Sequence, residues 1–174
     1  MCLSGIGYKG LVVHRPMYRR KRVSAFIIDE TIIQIGSQHF WLWIAIEPIH
    51  SSVLGIYISN ERNMLVLSQF LETLVEKYGR HTVYSDGGTW YPEACKVIEL
   101  KHYLHSPLEK CLIERVMQYF KDRTENFNGY YLCNNKQNCD LQHVYNWIKL
   151  FIYLYNAKIR NAIQFKIGGE IVLT

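Results

Sequence analysis

The chain has 174 residues, most simply one domain with room for a substantial core, and its five cysteines form no C-x-x-C pair and no even framework, which excludes a disulfide-stapled secreted domain. Its longest apolar stretch, Phe40 to Ile46, is far short of the roughly 20 residues a membrane-crossing helix takes, so a soluble, intracellular protein with reduced thiols is expected. The net charge of +5 is uneven: residues 1–23 hold six Lys or Arg and no acid, whereas the rest of the chain sets 14 basic against 15 acidic residues.

The first segment is therefore a basic arm, residues 1–23. Its run Arg19-Arg20-Lys21-Arg22 suits contact with a nucleic-acid backbone, which is electrostatic and sequence-independent; a solvated leader would have the same composition. Ala25 to Ile35 and His39 to Glu47 then read as strands joined at Gly36-Ser37, a hairpin rich in Ile, Phe and Trp. Pro48 ends the second strand because it has no N–H for the ladder. Val53 to Ser59 is a third strand. From Asn63 to Tyr78 the period changes: Leu67, Phe70, Leu71, Leu74, Val75 and Tyr78 share one helix face, and Gly79 suits the C-cap. His81 to Ser85 is a fourth strand, Pro92 to Glu99 a short helix and Lys101 to His105 a fifth strand. Glu109 to Arg123 and Leu141 to Tyr155 are helices, separated by an Asn- and Gly-rich loop over 124–140. This order, β-β-β-α-β-α-β-α-α, predicts an α/β fold: a mixed sheet with helices on both faces.

Three carboxylates stand out against this frame. Asp29 interrupts the apolar run Ala25-Phe26-Ile27-Ile28, Asp86 follows the fourth strand and precedes Gly87-Gly88, and Glu114 lies in the third helix. Two aspartates at strands and a helix glutamate can converge on a pair of divalent cations, which clamp the attacking and leaving oxygens of a phosphodiester. Singly, each has a plainer reading: turn formers for the aspartates, a solvated helix acid for Glu114. Gly87 and Gly88 allow a sharp turn and a close phosphate approach. Trp90 and Tyr91 could stack on a base, or simply pack. Glu114, Gln118, Lys121 and Glu125 share one helical stripe, so Lys121 projects from the face of Glu114 and could hold a phosphate; Arg115 and Arg123 are weaker candidates. His102, His105 and Cys111 lack the paired spacing of a structural zinc site.

The motifs narrow this further. Asp29-Glu30-Thr31, the segment from Asp86-Gly87-Gly88 to Trp90-Tyr91-Pro92, and Ile113-Glu114-Arg115 with Lys121, Arg123 and Thr124 resemble the D-E-T, D-x-G-x-x-Y and I-E-R…K-x-R-T motifs of DDE-class transposases of prokaryotic insertion sequences, relatives of retroviral integrases. Trp147, Phe151 and Tyr155-Asn156 resemble the closing helix of that family, and the likeness runs over about residues 24 to 157. The resemblance implies an RNase H-like fold with a five-stranded mixed sheet, and a catalytic core over 24–160 between the arm and a tail at 161–174. It implies Asp29, Asp86 and Glu114 as catalytic metal ligands, Mg²⁺ as cofactor with Mn²⁺ able to substitute, insertion-sequence ends and target DNA as partners, a homodimer or higher oligomer, and a cytoplasmic, nucleoid-associated location. The interval of 28 residues from Asp86 to Glu114 is short for the family, and residues 1–23 cannot hold the usual preceding helix-turn-helix, so a truncated copy is expected. Two other readings stand beside a transposase core: a non-catalytic remnant that binds DNA or dimerises, and an RNase H-like nuclease, against which the I-E-R…K-x-R-T helix counts.

Overall fold

Strand β1 (Ala25–Ile35) lies at the centre of the sheet, and its alternating side chains enter two separate apolar clusters. The computed structural model describes residues 23–35, 38–124 and 141–168, with the backbone alone at 123–124, 141 and 163–168. The basic arm, the Gly36-Ser37 turn and most of the expected 124–140 loop lie outside the described residues. The remaining strands are β2 (Gln38–Ile46), β3 (Val53–Ser59), β4 (Thr82–Ser85) and β5 (His102–Leu104); the helices are α1 (Met64–Tyr78), α2 (Trp90–Val97), α3 (Pro107–Thr124) and α4 (Leu141–Gly168).

The sheet order is β3-β2-β1-β4-β5. Strands β1 to β3 pair antiparallel, whereas β4 runs parallel to β1 and β5 parallel to β4. This is the expected mixed five-stranded sheet, and helices cover both faces. On one, Ile27, Leu42 and Ile44 pack with Val116 and Phe120 of α3 and Ile148 of α4. On the other, Phe26, Ile28 and Trp43 pack with Phe70 and Leu74 of α1 and Tyr91 of α2. Because the side-chain period of a strand is 2, one register serves both clusters and a one-residue slip would empty both.

Three helices differ from the boundaries read off the sequence. Helix α2 begins at Trp90, which puts Pro92 in the first turn where its missing N–H is not needed, and it stops because Glu99 adopts φ 56°, in the left-handed region. Helix α3 begins at Pro107 because Ser106 and Glu109 form a capping box: the Glu109 carboxylate accepts from the Ser106 N–H at 2.7 Å and from its hydroxyl. Helix α4 continues past Tyr155 to Gly168, through a stretch with no proline or glycine before its end. Helix α1 follows its sequence signals closely: Asn63 accepts from the Val66 N–H at 3.0 Å, and Gly79, at φ 90°, donates to the Val75 carbonyl at 2.8 Å.

The longer α4 brings Asn156 to the edge strand β3. Its side-chain oxygen accepts from the Val53 N–H and its amide donates to the Val53 carbonyl, both at 2.9 Å and both buried. Asn156 thereby stands in for a neighbouring strand at one residue of an open edge. Replacing Asn156 by Leu should cost about 1–3 kcal/mol in urea unfolding, the usual penalty for orphaned buried peptide groups, while Asn161→Ala on an exposed part of α4 should change little.

Candidate functional site

Strand parity sends Asp29 and Glu30 to opposite faces of the sheet. Asp29 shares the face of Ile27 and Ile33 and therefore looks toward α3; Glu30, opposite Trp43 in β2, looks toward α1 and α2. The parallel pairing of β1 with β4 ends with Ile27 opposite Tyr84. Asp29 comes two residues after Ile27, still within β1, and Asp86 two residues after Tyr84, just past the end of β4. Asp86 Oδ1 accepts from the Gly88 N–H at 3.0 Å, and Asp29 Oδ1 accepts from the Glu30 N–H at 2.9 Å.

Burial of Ile113, Val116, Met117 and Phe120 turns α3 so that Glu114, Gln118 and Lys121 lie on its exposed side. A cleft of about 570 Å³ separates them from β1, lined by Asp29, Thr31, Glu114, Arg115, Gln118 and Lys121 among others. The folded chain thus joins Asp29 and Glu114 in one cleft, with Lys121 beside them as the helical stripe predicts; Asp86 stands at the adjoining strand end, outside the cleft lining. Glu114 is turned toward Lys110, 3.9 Å away, and both side chains are more than half exposed, so reorienting either costs little.

Burial pushes the Asp29 carboxyl up from its ordinary 3.8 to about 6; the Glu30 N–H hydrogen bond opposes this, the Asp86 charge adds to it, Lys121 lowers it and Glu114 raises it again. Asp86 and Glu114 thus act on Asp29 together with Lys121, while Arg115 lines the same cleft and Lys110 faces Glu114. The donor set of the three carboxylates is all oxygen, which fits a hard, partly hydrated divalent cation. As placed, no three His, Cys, Asp or Glu side chains among the described residues are close enough to hold an ion.

On the opposite face of β1 is a polar cluster that reading the sequence missed. The Tyr91 hydroxyl donates to Glu30, and Arg62 Nη1 lies 3.5 Å from the other Glu30 oxygen. The Arg62 guanidinium sits 4.5 Å from the Trp41 ring centroid and 4.2 Å from that of Trp90. Burial pushes the Glu30 carboxyl up to about 7, against the Tyr91 hydrogen bond, and the Asp29 and Asp86 charges raise it further while Arg62 lowers it. Alternation alone foretold that Glu30 would face away from Asp29 into the second apolar cluster, where an acid needs a partner. No local pattern marked Arg62.

This cluster corrects the expectation that Tyr91 stacks on a base. Its ring is fully buried, edge-on to Trp43 at 6.3 Å and stacked on His102 at 6.1 Å, so no ring face is open. Trp90 is half-buried, with Arg62 over its ring. Arg115 lines the cleft and donates to Cys111 Sγ at 3.7 Å. Arg19, Arg20, Lys21 and Arg22, and the side chain of Arg123, lie outside the described residues.

The arrangement has parallels among known proteins. The family model for the DDE domain of IS240-type transposases matches residues 23–138. An uncharacterized protein of Methanocaldococcus jannaschii is 30% identical over 139 residues, which is 79% of this chain; the chain spans 63% of the length of that relative. Among solved structures, the catalytic core domain of BIV integrase superposes with a TM-score of 0.50 at 19% identity, over 62% of this chain and 72% of that one. The HTLV-2 integrase catalytic core domain in complex with magnesium gives a TM-score of 0.47 at 17% identity, over 60% of this chain and 71% of that one. The fold is that of integrase catalytic cores, RNase H-like.

The two glycines after Asp86 separate in role. A Cβ on Gly87 would meet nothing within 4 Å, whereas one on Gly88 would lie 2.8 Å from the Trp90 ring and 3.1 Å from Asp86 Oδ1. Gly88→Ala should therefore displace Trp90 or Asp86 and cost about 1–3 kcal/mol, the usual range for overpacking. Gly87→Ala should stay within about 0.5 kcal/mol of the parent. Chemical denaturation of the pair, followed by tryptophan fluorescence, measures both.

Proposed function

Because the chain belongs to the DDE domain family of IS240-type transposases, we propose that it is a metal-dependent DNA strand-transfer core, which cleaves DNA at the end of an insertion sequence and joins the 3′-end to target DNA. The observation that carries this reading is the cleft in which Asp29 of β1 meets Glu114 and Lys121 of α3, with Asp86 at the neighbouring strand end.

In this reading Asp29, Asp86 and Glu114 hold Mg²⁺, for which Mn²⁺ substitutes. Bound there, a pair of such ions supplies Lewis acidity at the attacking and leaving oxygens of the phosphodiester. The mutual repulsion of Asp29, Asp86 and Glu114 supports the assignment, since a divalent cation would offset it. Glu114, on an exposed side chain, would complete the donor set by leaving Lys110. Lys121, on the cleft wall, contacts a DNA phosphate, and Arg115 beside it does the same. Trp90 and the run Arg19-Arg20-Lys21-Arg22 extend the DNA contact away from the cleft. Two insertion-sequence ends must be held together for joining, which calls for a homodimer or higher assembly, working on DNA in the nucleoid. No described helix is long and apolar enough to cross a membrane.

A branched oligonucleotide that mimics a strand-transfer product, incubated with Mn²⁺, tests the reading without end recognition. Wild type should release the joined and freed strands, and Asp29→Asn, Asp86→Asn or Glu114→Gln should each lower the rate about a thousandfold, ~4 kcal/mol of barrier, with circular dichroism unchanged. A well-folded wild type that yields no product would point to a non-catalytic remnant, and cutting without joining to a nuclease.

Salt dependence tests the cleft wall. Lys121→Ala should weaken DNA binding and reduce the slope of log affinity against log salt by about one. An unchanged slope would remove Lys121 from the DNA path.

A further inference from the structure

We propose that Glu30, Tyr91 and Arg62 form a tie that sets the separation of Asp29 and Asp86; the inference rests on the reading of the cleft above. Tyr91 and Arg62 lie outside the cleft lining, and Glu30, which reaches that lining, gives its carboxylate to Tyr91 and Arg62, so the three are positioning residues rather than catalytic ones.

The need for a tie follows from the sheet. Backbone pairing between β1 and β4 ends at Ile27 and Tyr84, so the ladder does not reach either acid. Beyond Ser85 the chain leaves the sheet through Asp86-Gly87-Gly88, a segment with glycine freedom and open space around Gly87. Asp29 is held on its other side by pairing with Ile44 of β2, so Asp86 is the acid beyond any strand pairing, and repulsion between the two carboxylates would push it away unless something else fixed it.

A continuous path of short links runs from one carboxylate to the other by way of the opposite face. Asp29 Oδ1 accepts from the Glu30 N–H at 2.9 Å, so any movement of Glu30 is passed to the Asp29 carboxylate. The Glu30 side chain, 2% exposed, accepts from the Tyr91 hydroxyl. The Tyr91 N–H donates to the Gly88 carbonyl at 3.2 Å, and the Gly88 N–H donates to Asp86 Oδ1 at 3.0 Å. Asp29, Glu30, Tyr91, Gly88 and Asp86 thus form one circuit in place of the missing ladder.

The middle of the circuit is rigid. The Tyr91 ring is fully buried and lies parallel to that of His102, with 7° between the planes, while His102 Nε2 stands 2.8 Å from the hydroxyl of Ser85, the residue before Asp86. Arg62 holds Glu30 from the other side and is itself flanked by Trp41 and Trp90. A carboxylate buried this deeply seldom adds stability over an apolar side chain of similar volume, which is the pattern of a group kept for placement.

Tyr91→Phe removes a single O–H from the circuit and keeps the packing, and Arg62→Met loosens Glu30 from its exposed side without opening the core. Amide exchange over residues 86–89 in metal-free protein reads the loop, and calorimetric Mn²⁺ titration without DNA reads the acids. Tyr91→Phe should exchange faster there by about tenfold, bind Mn²⁺ roughly tenfold more weakly, and leave exchange in β2 and α1 unchanged. Arg62→Met should move both readouts in the same direction, and it serves alone if Tyr91→Phe does not fold. Glu30→Gln, which keeps the acceptor for Tyr91, should stay close to wild type in the loop. The tie is overturned if the variants match wild type over 86–89, or if exchange rises equally throughout the chain. Equal Mn²⁺ binding by wild type and Asp29→Asn would sink the metal reading instead, and the amide exchange would then decide the tie by itself.

Discussion

Two consecutive acids inside a central, two-sided strand set the terms for the rest of this molecule. Asp29 and Glu30 follow Ile27 and Ile28 in β1, and alternation sends one acid into each apolar cluster. A lone ionised carboxylate in such surroundings is costly, and each face answers the cost differently. On the α1/α2 face Glu30 is met from within, by Tyr91 and Arg62. On the α3 face Asp29 feels two further acids and Lys121 across the cleft. One face of the strand gives its acid a hydroxyl and a guanidinium, and the other gives its acid a cleft.

The elements around β1 can be understood through that asymmetry. Helix α3 begins two residues earlier than its apolar period requires because of the Ser106–Glu109 capping box. Its buried stripe then fixes the rotation that carries Glu114 and Lys121 into the cleft. Parallel pairing with β4 carries the chain toward Asp86 in the same direction as β1 runs toward Asp29, so each acid comes two residues after the last pair, Ile27 with Tyr84. Gly88 fits against the Trp90 ring, and that ring flanks Arg62. The cleft and the polar cluster behind it are therefore two sides of one construction.

Much of this was legible along the chain, and particular residues say why. The strands of the hairpin, helix α1 with Asn63 and Gly79 at its ends, and the stripe of Glu114 and Lys121 depend on local periodicity and capping, which sequence displays directly. The start of α3 was legible too, in Ser106-Pro107-Leu108-Glu109, although the apolar period alone pointed two residues later. Helix α4 ran past its apparent end at Tyr155 because the apolar period fades there while nothing breaks the helix, and Asn156 is kept in place by a hydrogen-bond pair to Val53 that no periodicity foreshadows. Tyr91 stayed open between base stacking and packing for the same kind of reason: an aromatic beside a turn looks the same in sequence whether its ring lies open or stacks on His102.

By itself the sequence determined the element types, the two-faced sheet and the three acids with their family motifs, because these rest on propensity, spacing and residue identity within a few turns or strands. Tertiary structure alone decided that Asp29 and Glu114 share a cleft while Glu30 joins Tyr91 and Arg62 behind it, and that Glu114 rests against Lys110. Those outcomes depend on how far apart segments are brought together and on what burial does to a charge, and neither quantity is written in any local stretch of the chain.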